Sequence, residues 1–250
     1  MTIVIQFDTQ KKDLFMNIKD AVVLVTGANR GLGRAFVDGL LAAGAAKVYA
    51  AARDPASITL QGVERIRLDV TNADQIAAAA KACPDVTLLI NNAGITRGSS
   101  FLATGSAAAA RAELETNFFG PLALSQAFAP VLKVNGGGAI VNVLSVLSWL
   151  NIASAATYSA SKSAAWSLTN GLRGELRAQG TQVVGVHVGF MDTDMTKGLD
   201  TPKVDPNDVM RRTLAAIEAG HEEVLADALS RQVRQGLAAE RGVYLGEAVH

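Results

Sequence analysis

The residues of this 250-residue chain best suited to proton transfer are a tyrosine and a lysine four positions apart. Tyr158 and Lys162 lie at the start of a pattern that predicts a helix over residues 158–179, and side chains at i and i+4 share one face of a helix. A phenol has a pKa of about 10, so it is a weak acid–base catalyst at neutral pH unless a nearby ammonium stabilises the phenolate. The pair therefore predicts a tyrosine whose pKa is lowered by Lys162 and which acts as a general acid or base.

Hydroxyl and amide side chains precede this pair and are candidates to assist it. Ser145 follows a predicted strand and stands 13 positions before Tyr158. A hydroxyl at a strand end can hydrogen-bond a carbonyl oxygen and stabilise the alkoxide-like charge that develops on it. Ser148 is a second hydroxyl of the same type. Asn117 lies inside a predicted long helix, where asparagine is a mediocre helix former, so a functional role is a reason for its presence.

A glycine-rich segment follows the first predicted strand. Gly27, Gly31 and Gly33 have the spacing G-x-x-x-G-x-G, which differs from the ordinary dinucleotide pattern G-x-G-x-x-G. Glycines allow a sharp turn and a close approach of the backbone to a pyrophosphate, which the free N–H groups of a helix start then bind. A plain strand-to-helix turn gives the same pattern, but the position directly after a buried strand favours a phosphate site.

Taken together, these motifs resemble those of the classical short-chain dehydrogenases/reductases. The family signature T-G-x-x-x-G-x-G corresponds to residues 26–33, N-N-A-G to residues 91–94 and Y-x-x-x-K to residues 158–162, and the resemblance runs from about residue 21 to residue 193. It implies a single-domain Rossmann-type α/β fold, a doubly wound parallel sheet with helices on both faces. It also implies hydride transfer between a nicotinamide and a carbonyl or alcohol carbon, with Tyr158 moving the proton.

The resemblance further assigns roles to individual residues. Ser145 would orient the substrate oxygen, Asn117 would bind an ordered water that relays protons, and Lys162 would also hold the nicotinamide ribose. The positions that it implies for cofactor binding are Gly27, Asn29, Arg30, Gly31, Leu32, Gly33, Arg53, Asp69, Val70, Asn91, Ala93, Gly94, Tyr158, Lys162, Gly189, Met191 and Thr193.

Two of these positions carry open questions. Asp69 would bind the adenine amino group in the family, but a strand-end aspartate can instead cap the helix predicted from residue 72. After the sixth strand, Val188 stands where relatives usually have proline. Because valine lacks the ring by which proline fixes φ, the sequence predicts a less rigid turn at Gly189.

The choice between the two nicotinamide dinucleotides depends on the end of the second strand. A carboxylate there would bind the adenosine ribose diol, whereas an arginine would pair with a 2′-phosphate. Arg53 occupies this position, and Arg30 in the glycine segment is a second cation near the same ribose in NADP(H)-preferring relatives. Arg53 alone is equally compatible with a solvated surface charge, but the two cations together favour NADP(H). Asp54, one residue further, leaves NAD(H) open.

Apolar runs alternate with helical patterns along the chain, which predicts a parallel sheet covered on both faces. The predicted strands are residues 21–25, 47–52, 64–70, 86–90, 139–144 and 182–188, with 223–226 as a possible seventh. The predicted helices are residues 33–43, 72–82, 111–133, 158–179, 205–219 and 226–240. Residues 16–250 are expected to form one catalytic domain. Residues 1–15 are expected to be an extension, either non-native or disordered, or else an added edge strand at residues 3–5.

The charge balance excludes several classes of protein. Lys and Arg total 23, as do Asp and Glu, and a chain with no net charge is unlike a nucleic-acid or anionic-membrane binder. The uncharged stretch between Lys133 and Lys162 contains glycines, asparagines and serines, whereas a bilayer helix needs about 20 mainly apolar residues. We interpret it as the apolar wall of an active site. Cys83 has no partner for an internal disulfide, so nothing ties the chain to an oxidising compartment and a cytoplasmic enzyme is expected. No metal site is expected.

The substrate is the least constrained part of the prediction. Ile95, Thr96, residues 146–152 with Trp149, and residues 190–199 are expected to line its pocket, which suits a hydrophobic aldehyde or ketone. A homo-oligomer is expected, with a dimer through helices 111–133 and 158–179 preferred. Alternative functions are a non-catalytic dinucleotide sensor and an NAD-dependent alcohol or hydroxysteroid dehydrogenase; a sugar-nucleotide epimerase normally needs a longer chain.

Overall fold

The computed structural model describes residues 16–246, so the extension expected at residues 1–15 lies outside the described part. Within it, the strands are β1 (Val22–Thr26), β2 (Lys47–Ala52), β3 (Glu64–Arg67), β4 (Leu88–Asn91), β5 (Ala139–Val143), β6 (Gln182–His187) and β7 (Glu223–Leu225). The α-helices are α1 (Gly31–Ala42), α2 (Ala73–Ala82), α3 (Ser106–Leu114), α4 (Gly120–Val134), α5 (Ala156–Leu176), α6 (Pro206–Glu218) and α7 (Ala228–Gly236).

The strands form one parallel sheet in the order β3-β2-β1-β4-β5-β6-β7. Strands β2 and β3 therefore lie on one side of β1, and strands β4 to β7 lie on the other. Such a reversal of strand order opens a crevice at the carboxyl ends of the two central strands, where ligands of doubly wound sheets bind. The predicted Rossmann-type fold is confirmed.

Alternate residues of each strand face opposite layers of helices. Val23 in β1 belongs to an apolar core that includes Phe36 of α1 and residues of α6. Its neighbour Leu24 belongs to a second core on the other face, which includes Phe128 of α4 and residues of α2 and α5. The continuous apolar run of β1 is thus explained by burial on both faces. Among the described residues, no helix is long and apolar enough to cross a membrane.

The helix predicted over residues 111–133 is interrupted, contrary to expectation. The chain becomes helical at Ser106, passes through a π-helical turn at Glu115–Phe119 and continues as α4. At this turn the Gly120 N–H bonds the Glu115 carbonyl five residues earlier. Pro121 has no N–H to donate to the carbonyl of Asn117, so the ordinary α-helical ladder breaks here. Such π turns are frequent at functional sites.

Two other boundaries differ from the sequence prediction for local reasons. β3 ends at Arg67 rather than residue 70, because the Asp69 carboxylate accepts a bond from the Thr71 N–H at 3.0 Å and turns the chain. The last helix begins at Ala228 rather than residue 226, because Asp227 caps it by accepting from the Ser230 N–H at 2.6 Å.

Candidate active site

A cleft of about 870 Å³ lies at the carboxyl ends of the central strands. The glycine segment, the ends of β2 and β3, the loop after β4, the end of β5 and the segment after β6 form its walls. All the residues predicted from sequence to bind cofactor or to catalyse line this cleft, with the exceptions of Asn91 and Asn117. Together with Tyr158 and Lys162 of α5, the fold therefore gathers residues from seven separate segments into one site.

The glycine segment forms a cradle that a side chain would fill. A Cβ atom on Gly33 would lie 2.1 Å from the Gly27 carbonyl oxygen, so only glycine fits there. Helix α1 begins at Gly31, and its first turn has neither a side-chain cap nor an acidic residue. The first N–H groups of α1 are thus available to bind an anion. The positive end of the helix dipole strengthens this attraction. These features fit a dinucleotide pyrophosphate.

Thr26 joins this cradle to the loop that follows β4. Its hydroxyl oxygen accepts bonds from the N–H groups of Asn92 and Ala93, both at 3.0 Å, and donates to the Ile90 carbonyl at 3.2 Å. The Asn92 amide in turn donates to the Thr26 carbonyl at 2.9 Å. Neither Thr26 nor Asn92 had a predicted role, although both belong to the family motifs at residues 26–33 and 91–94. Their side chains fix the relative position of the two motifs.

Asn91 does not reach the cleft, contrary to expectation. Its side chain is buried between strands, where Nδ2 donates to Asn142 Oδ1 at 2.8 Å. Asn142 Nδ2 donates onward to the Thr169 hydroxyl of α5 at 3.0 Å. The last residue of β4 points into the interior, so Asn91 bridges β4, β5 and α5 instead of contacting cofactor.

At the adenosine end of the cleft, the end of β2 presents a cation. Arg53 is exposed and lines the cleft, whereas the Asp54 carboxylate accepts a bond from the Ala56 N–H at 3.0 Å and caps a short 3-10 turn. The Asp54 side chain is thus engaged locally. This arrangement leaves Arg53 as the group facing a ribose.

Asp69 lines the same end of the cleft. Bonds from the Thr71 N–H and hydroxyl, together with the charge of Arg53, lower the pKa of its carboxyl even though burial opposes them. Helix α2 is capped by Asn72, whose side chain accepts from the Gln75 N–H at 3.0 Å. The alternative interpretation of Asp69 as the helix cap is therefore wrong, and its carboxylate stands at the cleft wall.

The second predicted phosphate ligand, Arg30, is engaged across the cleft. Its Nη1 lies 2.8 Å from Asp194 Oδ2 in the segment after β6. Both side chains are 68% exposed, and both residues line the cleft. Asp194 belongs to the segment predicted to line the substrate pocket, but its pairing with Arg30 was not predicted, because nothing in the sequence connects two residues so far apart.

At the other end of the cleft, Ser145 caps the short 3-10 turn Val146–Ser148. The Leu147 N–H donates to its hydroxyl oxygen at 3.1 Å, so the hydroxyl hydrogen is left to donate elsewhere. Ser148 is buried and does not line the cleft, and its hydroxyl accepts from the Ser145 N–H at 3.3 Å. Of the two candidate serines, Ser145 alone faces the cleft.

Tyr158 and Lys162 occupy one face of α5, as their spacing predicts, with Lys162 Nζ 5.8 Å from the centre of the tyrosine ring. Burial raises the pKa of the Tyr158 phenol to about 12, and the neighbouring Ser145 hydroxyl offsets this only in part. The lowering of this pKa that the spacing predicts is not found, because burial of the phenol dominates and the Glu113 carboxylate adds to the rise. Burial also lowers the pKa of Lys162 to about 8, while Nζ donates to the Val143 carbonyl at 2.8 Å.

Asn117 lies in the π turn, behind the cleft wall. Its Oδ1 accepts from the Ile95 N–H and its Nδ2 donates to the Ile95 carbonyl, both at 2.9 Å. Nδ2 also donates to the Ser161 hydroxyl at 2.9 Å. These bonds tie the loop after β4 to α5, and they explain why an asparagine is kept in a helical segment.

The turn after β6 is held despite the missing proline. The Gly189 N–H donates to Asp227 Oδ2 at 2.6 Å, and the Val146 N–H donates to the Val188 carbonyl at 2.9 Å. A Cβ on Gly189 would lie 3.0 Å from the same Asp227 oxygen, so a larger residue would disturb this bond. Asp227 thus supplies by a hydrogen bond the restraint that a fixed φ would give.

The predicted substrate wall is only partly correct. Ile95, Met191 and Met195 line the cleft, whereas Thr96 does not, nor does the loop of residues 146–152. Trp149 is buried and stacks on His187 with ring centres 3.7 Å apart. An indole gains more by burial against another ring than by facing an open cleft, which sequence alone does not show.

A parallel sheet with a glycine cradle at its switch point and a Ser-Tyr-Lys set in the same cleft defines a dinucleotide-dependent oxidoreductase. The family model for short chain dehydrogenases matches residues 21–203, and the chain belongs to this family. It is an NAD(P)-dependent oxidoreductase that acts on carbonyl or hydroxyl groups.

Individual relatives are similar over nearly their whole length. A 3-oxoacyl-(acyl-carrier-protein) reductase of Vibrio cholerae is 34% identical, covering 94% of this chain and 97% of that protein. A short chain dehydrogenase of Burkholderia cenocepacia, solved in complex with NADP, is 43% identical with a TM-score of 0.87, covering 90% of this chain and 96% of the other. A Burkholderia phymatum enzyme in complex with NAD, at 24% identity and a TM-score of 0.79 over 89% of this chain and 95% of its own, supports the fold.

Proposed function

We propose that this protein is an NADP(H)-dependent carbonyl reductase that converts a hydrophobic aldehyde or ketone and the corresponding alcohol into each other. One observation carries the proposal: Ser145, Tyr158 and Lys162 line the same cleft as the glycine cradle. A carbonyl group placed beside Ser145, Tyr158 and Lys162 would therefore lie in the same cleft as the dinucleotide.

The protonation states favour reduction. With a pKa of about 12, the Tyr158 phenol is protonated at neutral pH and acts as the general acid toward the substrate oxygen. The Ser145 hydroxyl hydrogen, left free by the bond from Leu147, donates to the same oxygen and stabilises its developing charge. Lys162 has two N–H donors beyond the one given to Val143, and these hold the ribose hydroxyls of the cofactor. Bound NADPH supplies the hydride.

The preference for NADP(H) is supported by two cations at the adenosine end. Arg53 lies there without an ion-pair partner among residues 16–246, while Asp54 is occupied as a cap. Arg30 would bind the 2′-phosphate in competition with Asp194, since a guanidinium can form two parallel bonds to a phosphate. The NADP complex of the 43% identical Burkholderia cenocepacia enzyme supports the same choice.

The substrate class follows from the walls near the catalytic residues. The apolar side chains that line this part of the cleft are Ile95, Leu144, Val188, Met191 and Met195. Such a surface stabilises an apolar chain next to the carbonyl carbon. Because a 34% identical relative is named as a 3-oxoacyl reductase, a 3-oxoacyl thioester is the second substrate class to compare.

The proposal is tested by a turnover screen of aldehydes, ketones, 3-oxoacyl thioesters and alcohols, with NADPH and NADH side by side. We expect reduction of a hydrophobic carbonyl with NADPH at a higher kcat/KM than with NADH. Saturable NADPH binding without turnover of any compound in either direction would instead indicate a dinucleotide sensor.

We further propose a cytoplasmic homodimer formed through α4 and α5. Gly171 and Gly174 expose a side-chain-free strip on α5, and Phe119 is 46% exposed beside the start of α4. Close helix packing between two copies would cover these positions. Light scattering of the purified protein distinguishes a dimer from a monomer or tetramer.

A further inference from the structure

A carboxylate that contacts neither the substrate nor the cofactor in the chemistry above is fully buried behind the cleft, and its charge adds to the raised pKa of Tyr158. Glu113 in α3 is 0% exposed. Its Oε1 accepts from the backbone N–H of Arg97 at 2.6 Å, and its Oε2 has no hydrogen-bond partner among the described residues. Burial of a carboxylate is unfavourable unless its bonds compensate, so an apolar side chain would be the simpler choice in a position that served only packing.

Glu113 stands one helical turn before Asn117, and the two side chains bind the same loop. Asn117 holds both backbone groups of Ile95, and Glu113 holds the N–H of Arg97 two residues further. Thr157 of α5 secures the far end, where its N–H donates to the Ser99 carbonyl at 3.2 Å. These hydrogen bonds, at Ile95, Arg97 and Ser99, keep the loop extended along the cleft wall.

The start of the loop is fixed separately. Thr26 holds the N–H groups of Asn92 and Ala93, which belong to the cofactor end of the wall. Ile95 and Arg97 lie further along the wall, and both line the cleft. Loss of the Glu113 bond would therefore loosen the wall next to the substrate while leaving the cofactor end in place.

We infer that Glu113 is a positioning residue for the carbonyl substrate, acting by the hydrogen bond that fixes Arg97 and the loop around it. This inference rests on the proposed function. The bond depends on the reach of the side chain rather than on its charge. A glutamine keeps both the length and an acceptor oxygen, whereas an aspartate keeps the charge but is one methylene too short.

The test compares Glu113→Gln with Glu113→Asp, with Glu240→Ala, an exposed acid beyond α7, as a control. We expect Glu113→Gln and the control to retain kcat/KM for the carbonyl within about twofold, whereas Glu113→Asp lowers it about ten- to hundredfold through misplacement of the wall. The KM for NADPH should stay within about twofold in all three variants. Hydrogen exchange at the Arg97 amide should be about tenfold faster or more in Glu113→Asp alone.

Each result decides the inference. Impairment of Glu113→Gln but not of Glu113→Asp would show that charge, not reach, is required, and equal impairment of both would show that reach with an acceptor oxygen is not sufficient; either result would overturn it. Unchanged exchange at Arg97 in a folded Glu113→Asp protein, or faster exchange with unaltered kcat/KM, would overturn it as well. If the wild-type protein reduces no carbonyl, the proposed function is wrong, and so is the role of Glu113 toward the substrate. Hydrogen exchange at Arg97 then still decides whether Glu113 holds the loop.

Discussion

Arg30 and Asp194 form an ion pair at 2.8 Å that connects the glycine cradle to the segment after β6. Each side chain is 68% exposed, and an exposed pair of this kind contributes only about 0.2–1 kcal/mol. A 2′-phosphate bound at the same Nη1 would compete with the Asp194 carboxylate. Binding of NADP(H) would then compete with the contact between the glycine cradle and the segment after β6.

Removing the competing charge should strengthen the binding of one cofactor only. We expect Asp194→Asn to lower the Kd of NADPH about two- to fivefold, the factor that corresponds to loss of an exposed ion pair, and to leave the Kd of NADH unchanged. Fluorescence titration of both cofactors measures this. Asp192→Asn, an exposed acid two residues away, is the matched control. An equal change for NADPH and NADH would contradict the competition.

The rate of carbonyl reduction should fall at alkaline pH because of Lys162. Its pKa is lowered to about 8, so its ammonium is present below pH 8 and is lost as the pH rises through that value. Tyr158, with a pKa of about 12, stays protonated throughout. We expect a constant kcat/KM near pH 6–7 and a fall of about tenfold by pH 9, measured with saturating NADPH. A rate that stays flat to pH 9.5 would contradict the role of the ammonium.

His187 should make the fold less stable in acid. Its ring is fully buried, with Nδ1 3.3 Å from the Ser145 carbonyl oxygen, and burial lowers its pKa to about 3 despite the Glu223 carboxylate 3.8 Å from Nε2. Below about pH 6.5, the ordinary pKa of histidine, the unfolded chain binds a proton at this ring that the folded chain does not bind. The free energy of unfolding therefore decreases as the pH is lowered, by about 2 kcal/mol at pH 5.

Urea unfolding at pH 7.5 and pH 5 measures this effect. The control is His187→Gln, which removes the titrating ring, so its free energy of unfolding should fall less between the two pH values. Parallel losses in both proteins would assign the acid sensitivity to other groups.

The sheet and the contents of the cleft could be predicted from sequence because their signals are local. The apolar run of β1, the glycines at residues 27–33 and the i, i+4 pair Tyr158 and Lys162 are each readable within a few residues. A parallel sheet then brings the carboxyl ends of separate strands to one edge, which assembles the site without further information.

What sequence did not predict depends on contacts between distant segments. Glu113 and Asp227 are ordinary helical acids by pattern, and only the fold places them against the N–H groups of Arg97 and Gly189. The inward orientation of Asn91 depends on its pairing with β5. The raised pKa of Tyr158 depends on desolvation, which a spacing of four residues does not reveal.

The most direct test of the proposed chemistry is the single-turnover rate of carbonyl reduction by Tyr158→Phe at saturating NADPH. The variant removes the proton donor but keeps the ring that packs in the cleft, so the Kd of NADPH should stay within about threefold of the wild-type value. We expect the reduction rate to fall by about a hundred- to ten-thousandfold, the range that general acid catalysis contributes. A Tyr158→Phe protein that reduces the carbonyl at the wild-type rate would contradict the assignment of Tyr158 as the acid.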